Sequence, residues 1–365
     1  MIQKFDKVLL ALTIVILLFS LIALYSSCHQ KGEFVKHSIF FKQLLWIFIG
    51  LVFAFIFYKI DYRKLWDIIW PLYWFVIIAL IFVIFFGRSK FGAQRWLELG
   101  GFNFQPSELG KIAIILALSR YFSKKSLEEL KIFHHKFSLV KGFIVPLCIT
   151  FSLAFLVSIQ PDLGTALVYL FLFLFLVFFV EVKFRYIMYF FGLVLLTSPL
   201  FWFFLKGYQK DRLLVFLNPD RDPLGAGYTI IQSKIAVGSG GLFGKGWLSG
   251  TQNQLNFLTE RHTDFIFSTI GEEWGFLGSI VLIVLFYFLI KRILNLSVRV
   301  YDPFAKNLCL CIASLIFIQF FINIAMTIGF MPVVGLPLPF ISYGGSSLIS
   351  FLMLIGIVLN ISKSS

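Results

Sequence analysis

Charge is scarce in this sequence. Only 14% of its 365 residues are Asp, Glu, Lys or Arg, while 59% are hydrophobic. Such a chain cannot cover a water-facing surface, which excludes a soluble globular domain. Cysteine is also sparse: Cys28 stands alone near the predicted outer surface, and Cys148, Cys309 and Cys311 fall within predicted helices. Cys309 and Cys311 are two apart and do not share a helical face, so neither a CxxC redox centre nor a disulfide framework is indicated. Heptads and low-complexity linkers are missing, and one domain over 1–365 is the simplest reading. The apolar runs are continuous rather than alternating, which excludes a β-barrel. A small-residue cleavage site is missing as well. The first apolar run continues through Tyr25, Ser26, Ser27 and Cys28, so it reads as a retained helix rather than a secretory signal.

Long apolar runs are what the sequence does contain. A hydrocarbon core about 30 Å thick needs roughly 20 residues of helix. Runs of that order recur over 9–27, 39–59, 67–86, 107–123, 143–160, 163–182, 185–206, 265–290, 307–331 and 344–361. Lipid offers the backbone no partner, so each run is predicted to be a helix. The expected fold is an all-α integral membrane protein of about ten transmembrane helices, with a long extracytoplasmic loop over 207–264 before the eighth. The fourth run carries Glu108 and Lys111 and should be buried among the others.

Counting ten spans puts one set of basic residues on a single side. These are Lys4 and Lys7, then Lys59, Arg63 and Lys64, then Arg120, Lys124, Lys125, Lys131, Lys136 and Lys141, then Lys183 and Arg185, and finally Lys291, Arg292, Arg299 and Lys306. This bias places both termini in the cytoplasm. It accounts for much of the formal net charge of +14 without invoking nucleic acid, and it suits anionic headgroups. The 48 phenylalanines read as lipid-facing and packing bulk.

Polar groups inside or beside such helices are costly, so they mark places of interest. In a first stretch Arg95 precedes Gln105, Pro106, Ser107, Glu108 and Lys111. Pro106 suits a helix start and Glu108 its first turn. Glu108 and Lys111 share a face and can pair, either structurally or within a site. A second stretch, Gln160, Pro161 and Asp162, is a tight turn whose aspartate either caps the next helix or faces a cavity. The long loop supplies Arg212, Arg221, Lys234 and Lys245, which could hold a diphosphate by charge-assisted hydrogen bonds. Its glycine-rich run 238–246 is not a P-loop, because Trp247 follows Gly246 and no strand precedes it. Those glycines let backbone approach a ligand or a neighbouring helix.

The sharpest stretch is Glu260, Arg261, His262, Thr263, Asp264, followed by Glu272 and Glu273. Asp264 stands at the mouth of a helix, either as a cap or as a general base toward the headgroup region. Glu272, eight residues on, falls close to the same face. His262 reads as an orienting hydrogen-bond partner rather than a metal ligand, since no second His or Cys sits at ligand spacing. Asn323 lies within the ninth span, and Pro332, Pro337 and Pro339 then lead to Ser342. So many prolines cannot form a helix, so a rigid re-entrant element beside an outer cavity is expected.

These motifs together resemble a known family. GAQRWLELG at 92–100, QPSELGK at 105–111, QPDLGT at 160–165, the stretch 218–267 ending in ERHTDFIF, and GLPLPFISYGGSS at 335–347 cover nearly the whole chain. The chain is similar to the shape, elongation, division and sporulation (SEDS) family of bacterial membrane proteins. DPLGAGY and GTQNQLNF resemble its rod-elongation (RodA-type) branch. Thr259 stands where the family pattern commonly has proline, a change of loop stiffness rather than of charge.

The resemblance implies a ten-helix peptidoglycan glycosyltransferase in the bacterial cytoplasmic membrane, polymerising lipid II on the outer face during elongation. It implies that Asp264 is the essential catalytic acidic residue and that Glu108 and Lys111 form a buried charged pair near a central cavity. Its partners would be the growing glycan strand, a class B penicillin-binding transpeptidase and other elongasome membrane proteins. A divalent cation, Mg or Mn, could sit between diphosphate and carboxylates. Two other readings stay open: a lipid II flippase, because intramembrane charges also describe transporters, and a noncatalytic elongasome scaffold. The clustering of polar motifs toward one face favours the enzyme.

Overall fold

The computed structural model describes residues 6–29, 37–90, 93–99, 102–125, 139–180, 182–205, 207–222 and 225–364. Lys4, Lys131 and Lys136 of the basic bias, Gly92 and Gly100 of the first motif, and Pro223 and Leu224 of the long loop lie outside the described residues.

Among the described residues a helix follows each predicted run. They are α1 (Lys7–Cys28), α2 (His37–Lys59), α3 (Leu65–Phe86), α4 (Pro106–Lys125), α5 (Val145–Ile159), α6 (Leu163–Phe179), α7 (Phe184–Phe204), α11 (Ile266–Arg299), α12 (Pro303–Thr327) and α13 (Gly345–Ile361). Seven helical segments are long and apolar enough to cross a membrane, and two shorter apolar ones lie at Leu163–Phe179 and Phe184–Leu200. The remaining helix, α4, is the polar one, and from Gln105 to Ser119 only Leu109 is not fully buried. Several starts carry the expected caps: Asp6 accepts from Leu9 N at 3.0 Å, Asp162 from Thr165 N at 3.2 Å and Asp302 from Phe304 N at 3.0 Å.

Helix α12 is the centre of the bundle, packed by α11, α4 and α6, while α2 lies along α13. Burial all round α12 explains why Cys309 and Cys311 are both buried although they do not share a face. None of the four cysteines is in a disulfide, and Cys148 is exposed. Phe41, Phe48, Phe55, Phe85 and Phe203 are exposed on the outside of the bundle, as lipid-facing bulk should be.

Two features of the connecting segments depart from the sequence reading. Between α3 and α4 the chain forms an antiparallel meander of β1 (Arg88–Lys90), β2 (Ala93–Leu99) and β3 (Phe102–Phe104). The long loop is itself largely helical, with α8 (Gly207–Leu217), α9 (Ala226–Ser239) and the single turn α10 (Thr251–Gln254). Helix α9 packs on α11 and α12.

A glycine break inside α11 joins this loop to the bundle. Gly275 has φ 64° and ψ −157°, so the helical ladder is interrupted there. The freed groups are taken up by the glycine-rich run. Phe276 N donates to Gly241 O at 2.9 Å and Leu277 N to Leu242 O at 3.1 Å, while Lys245 N and Gly246 N donate to Glu272 O and Glu273 O, each at 3.0 Å. A Cβ on Gly275 would lie 2.4 Å from Gly244 N, so only glycine admits the run this closely. Non-helical backbone at the membrane is tolerated when protein satisfies it, and here the loop does so. Beyond the break about 36 Å of helix remains, enough to cross the bilayer.

Candidate functional site

The site is built where loop ends meet α12. The turn Glu260–Phe265 closes by hydrogen bonds from Thr263 N and Phe265 N to Glu260 O, at 3.1 and 3.3 Å. The non-helical stretch after α12, which carries Pro332, Pro337 and Pro339, lies against it. Tyr343 N donates to His262 O at 2.8 Å. Ser342 Oγ donates to Thr263 O at 2.5 Å and accepts from Leu338 N at 2.8 Å. Asn323, fully buried on α12, donates from Nδ2 to Asp264 O at 2.9 Å and to Leu336 O at 2.8 Å. The expected re-entrant proline element is therefore the wall against which Asp264 rests.

The Asp264 carboxyl is half-buried and feels charges from several separate segments. Burial pushes it up from 3.8 to about 6, with Glu260 and Asp162 raising it further and Arg212 and Arg95 pulling it down. Both guanidiniums are anchored by backbone carbonyls. Arg212, on α8, donates from Nη1 to Val333 O at 3.1 Å. Arg95, on β2, donates to Pro161 O and lies 3.6 Å from Asp162 Oδ1. Its buried Nε has no hydrogen-bond partner. Asp162 is itself fixed by Thr165 Oγ1 at 2.9 Å and Gln105 Nε2 at 3.3 Å. The aspartate thus caps α6 and orients an arginine at once.

Deeper in the bundle, Lys111 Nζ donates to Glu108 Oε1 at 2.7 Å and to Gln319 Oε1 at 3.2 Å. The ammonium also lies 5.9 Å from the centre of the Phe351 ring. Gln319 and Asn323 are one turn apart on α12, so one helix face touches both the charged pair and the backbone of Asp264. Glu108 Oε2, Ser107 Oγ and Gln319 Nε2 are buried without partners.

Other residues singled out in the sequence lie apart from this arrangement. Glu272 does not face Asp264. It accepts from Lys245 Nζ at 2.8 Å, from Thr251 Oγ1 at 3.0 Å and from Gln252 N at 3.0 Å. Glu273 accepts from Ser26 Oγ at 2.6 Å, tying α11 to α1. Both carboxylates, and Lys245, belong to the splice at the glycine break. The Lys234 stem runs along Gly329, with Nζ 2.6 Å from where a Cβ there would be. Arg221 is exposed on a single 3₁₀ turn, Pro219–Arg221. Gln160 Nε2 donates to Leu80 O at 2.8 Å inside the bundle. Among the described residues no three His, Cys, Asp or Glu side chains come together as metal donors.

The sequence and fold are similar to those of known proteins. The sequence profile of the cell cycle protein family that joins FtsW, RodA and SpoVE matches residues 6–365. The chain belongs to that family. It is 40% identical over 357 residues to the peptidoglycan glycosyltransferase MrdB of Escherichia coli K12, covering 98% of this chain and 93% of that one. Its fold matches a chain of a solved peptidoglycan synthase complex that coordinates polymerization and crosslinking, with TM-score 0.80, 32% identity and 98% of both chains covered. It also matches the rod shape determining protein RodA of Thermus thermophilus, with TM-score 0.71, 29% identity, and 98% and 97% covered.

Two residues to which the sequence motifs assign no role also act on Asp264: Glu260, whose charge raises its pKa, and Gly335, which borders it. A second carboxylate four residues before Asp264 was the available signal for the first, and a glycine amid prolines for the second.

Proposed function

We infer that this chain is a multi-pass enzyme of the bacterial inner membrane, a peptidoglycan glycosyltransferase that polymerises lipid II into glycan strands during rod-shape elongation, with Asp264 as its general base. The observation that carries this reading is a half-buried carboxyl, raised to about 6, that lies within the electrostatic reach of two guanidiniums, each anchored to a backbone carbonyl. A base of that strength is ionised at neutral pH and still basic enough to accept a hydroxyl proton.

The 4-hydroxyl oxygen of the acceptor N-acetylglucosamine attacks C1 of the donor N-acetylmuramic unit, and its proton passes to Asp264. The bond from C1 to the diphosphate oxygen breaks, and undecaprenyl diphosphate leaves with the electron pair. A single displacement turns the α-linked donor into a β product. The leaving group departs as a stable anion and needs positive charge rather than a proton, so the acid that a glycosidase uses is dispensable. Arg95 and Arg212 supply that charge in a partly dehydrated site, where fixed donors act most strongly. Glu108 and Lys111 hold the shape and field of the bundle beneath.

The basic side of the bundle is cytoplasmic, as are both termini, and the site opens outward, where lipid-linked donor and acceptor meet. The chain acts as one polytopic domain beside a class B penicillin-binding transpeptidase and other elongasome membrane proteins. The similarity to a chain of a peptidoglycan synthase complex supports that pairing.

The test is polymerisation of labelled lipid II by purified protein in liposomes, with and without the transpeptidase, beside Asp264→Ala and an EDTA arm. Strands from the wild type alone are expected. Strands from a folded Asp264→Ala protein would remove Asp264 as the base, and no strands from wild type with partner would favour a flippase or scaffold. Loss in EDTA would mean that a cation arrives with the diphosphate.

A further inference from the structure

Three consecutive carbonyls in the turn before α11 are each held by a different donor. His262 O is held by Tyr343 N, Thr263 O by Ser342 Oγ and Asp264 O by Asn323 Nδ2. With the main chain fixed on both sides, the Asp264 carboxylate has only its own two side-chain torsions left. The slot it occupies is bordered by Gly335, where an added Cβ would stand 3.5 Å from Oδ2.

Of the three donors, Asn323 comes from deepest in the bundle, and its presence there is the hardest to explain by packing. It is fully buried on the central helix, and its own Oδ1 has no partner. Leucine has nearly the same shape and would bring no polar atom of its own into the bundle, whereas asparagine buries an unpartnered Oδ1. Its nitrogen does what leucine cannot: two N–H groups on one atom bridge two carbonyls, one in the Asp264 turn and one at Leu336 in the proline segment.

We propose that Asn323 is a positioning residue for the transfer reaction, its carboxamide locking the Asp264 turn to the proline segment so that the carboxylate stays in the slot beside Gly335. Asn323 acts through the main chain and touches no reacting atom. The proposal rests on the reading of Asp264 as the base. Without the bridge the turn can lift toward water, and the carboxylate loses both its aim and its burial. A misplacement of about 1 Å at a reacting group costs roughly 10²-fold in rate.

The experiment compares wild type, Asn323→Leu, Asn323→Gln and Asp264→Ala as purified full chains polymerising labelled lipid II, with kcat and KM taken across pH 4.5–8. For Asn323→Leu the expected result has three parts: a protein that still folds, with melting lowered modestly because two carbonyls lose their donor, kcat down roughly 10- to 100-fold and KM unchanged within about twofold. The acid limb of the rate profile should also move below its wild-type position near 6, because a carboxylate released to water ionises more easily. The charged residues around Asp264, namely Glu260, Asp162, Arg212 and Arg95, are retained in every Asn323 variant, so movement of the limb reports displacement of the carboxylate from its site. Asn323→Gln keeps the donors one methylene further out, and its kcat and limb should fall between the two; it carries the test alone if the leucine variant does not fold. An unmoved acid limb, or a kcat within twofold of wild type, overturns the proposal. An active Asp264→Ala overturns the reading of the base instead.

Discussion

Gly335 borders the Asp264 carboxylate: a Cβ on this glycine would lie 3.5 Å from Oδ2 and within 4 Å of no other atom outside its chain neighbours. The glycine also has φ +73°, a backbone conformation that alanine adopts only at a cost of about 1–2 kcal/mol. Gly335→Ala should therefore lower stability modestly and put a methyl where a substrate hydroxyl must approach the carboxylate. Gly335→Asn tolerates that backbone better but fills the same space. If space matters, both variants lose polymerisation while only the alanine variant loses melting temperature by several degrees. Parallel rate and thermal-melting measurements separate the two effects.

Asp264 itself carries an opposed pair of pH effects. As a base it must be ionised, so polymerisation by the wild type should fall as pH drops through about 6, tenfold for each further unit. For stability the sign is reversed. The carboxyl is raised in the folded protein from 3.8 to about 6, so between those values the folded state binds more protons than the unfolded chain. Stability is then lost as pH rises through that window. Asp264→Asn should be inactive yet more heat-stable than wild type at pH 7.5, and the gain should shrink as pH is lowered toward 4. Thermal melting across pH, read beside activity, checks both halves; a variant no more stable at pH 7.5 would remove burial as the cause of the shift.

The intramembrane pair predicts its own pattern. Removing one member of a buried pair leaves the other uncompensated and costs about 3–5 kcal/mol, while replacing both with similar apolar or neutral side chains is often tolerated. Lys111→Ala should lower melting temperature and activity, because Glu108 Oε1 then loses the ammonium that donates to it while its buried Oε2 already has no partner. Lys111→Met combined with Glu108→Gln should recover most of the stability. Whether activity returns with it decides if the pair contributes charge or only shape.

The helices were the legible part of this fold, because lipid imposes a length and a composition that the sequence must repeat. Even α4 was placed correctly through Pro106 and the spacing of Glu108 and Lys111. The small sheet was not legible: its strands are three to seven residues long and carry no sustained alternation. The break at Gly275 had a visible trace, a glycine within a helical run, but what fills it lies some thirty positions earlier in the loop. Asp264 was visible as an acidic residue at a helix mouth, and only the family motif distinguished it from a cap. Glu272 looked like a partner for it by helical spacing. That spacing assumes nothing else competes, and Lys245, Thr251 and Gln252 from the returning loop take its carboxylate first.

Lys245 therefore separates structural charge from substrate-binding charge. Its ammonium is held 2.8 Å from Glu272 Oε1, whereas Arg95 and Arg212 are the cations that face Asp264. Lys245→Ala should loosen the glycine splice, lowering the melting temperature and raising proteolysis within residues 240–254, while KM for lipid II stays within about twofold. Arg212→Ala and Arg95→Ala should instead cut the rate by roughly 10²- to 10³-fold, the scale for losing one fixed donor to a developing anion. Because each arginine is also tied to a backbone carbonyl, Lys replacements provide the control: they keep the charge and lose the fork. A Lys245→Ala protein with wild-type melting but a much raised KM would reverse this assignment and return Lys245 to the diphosphate.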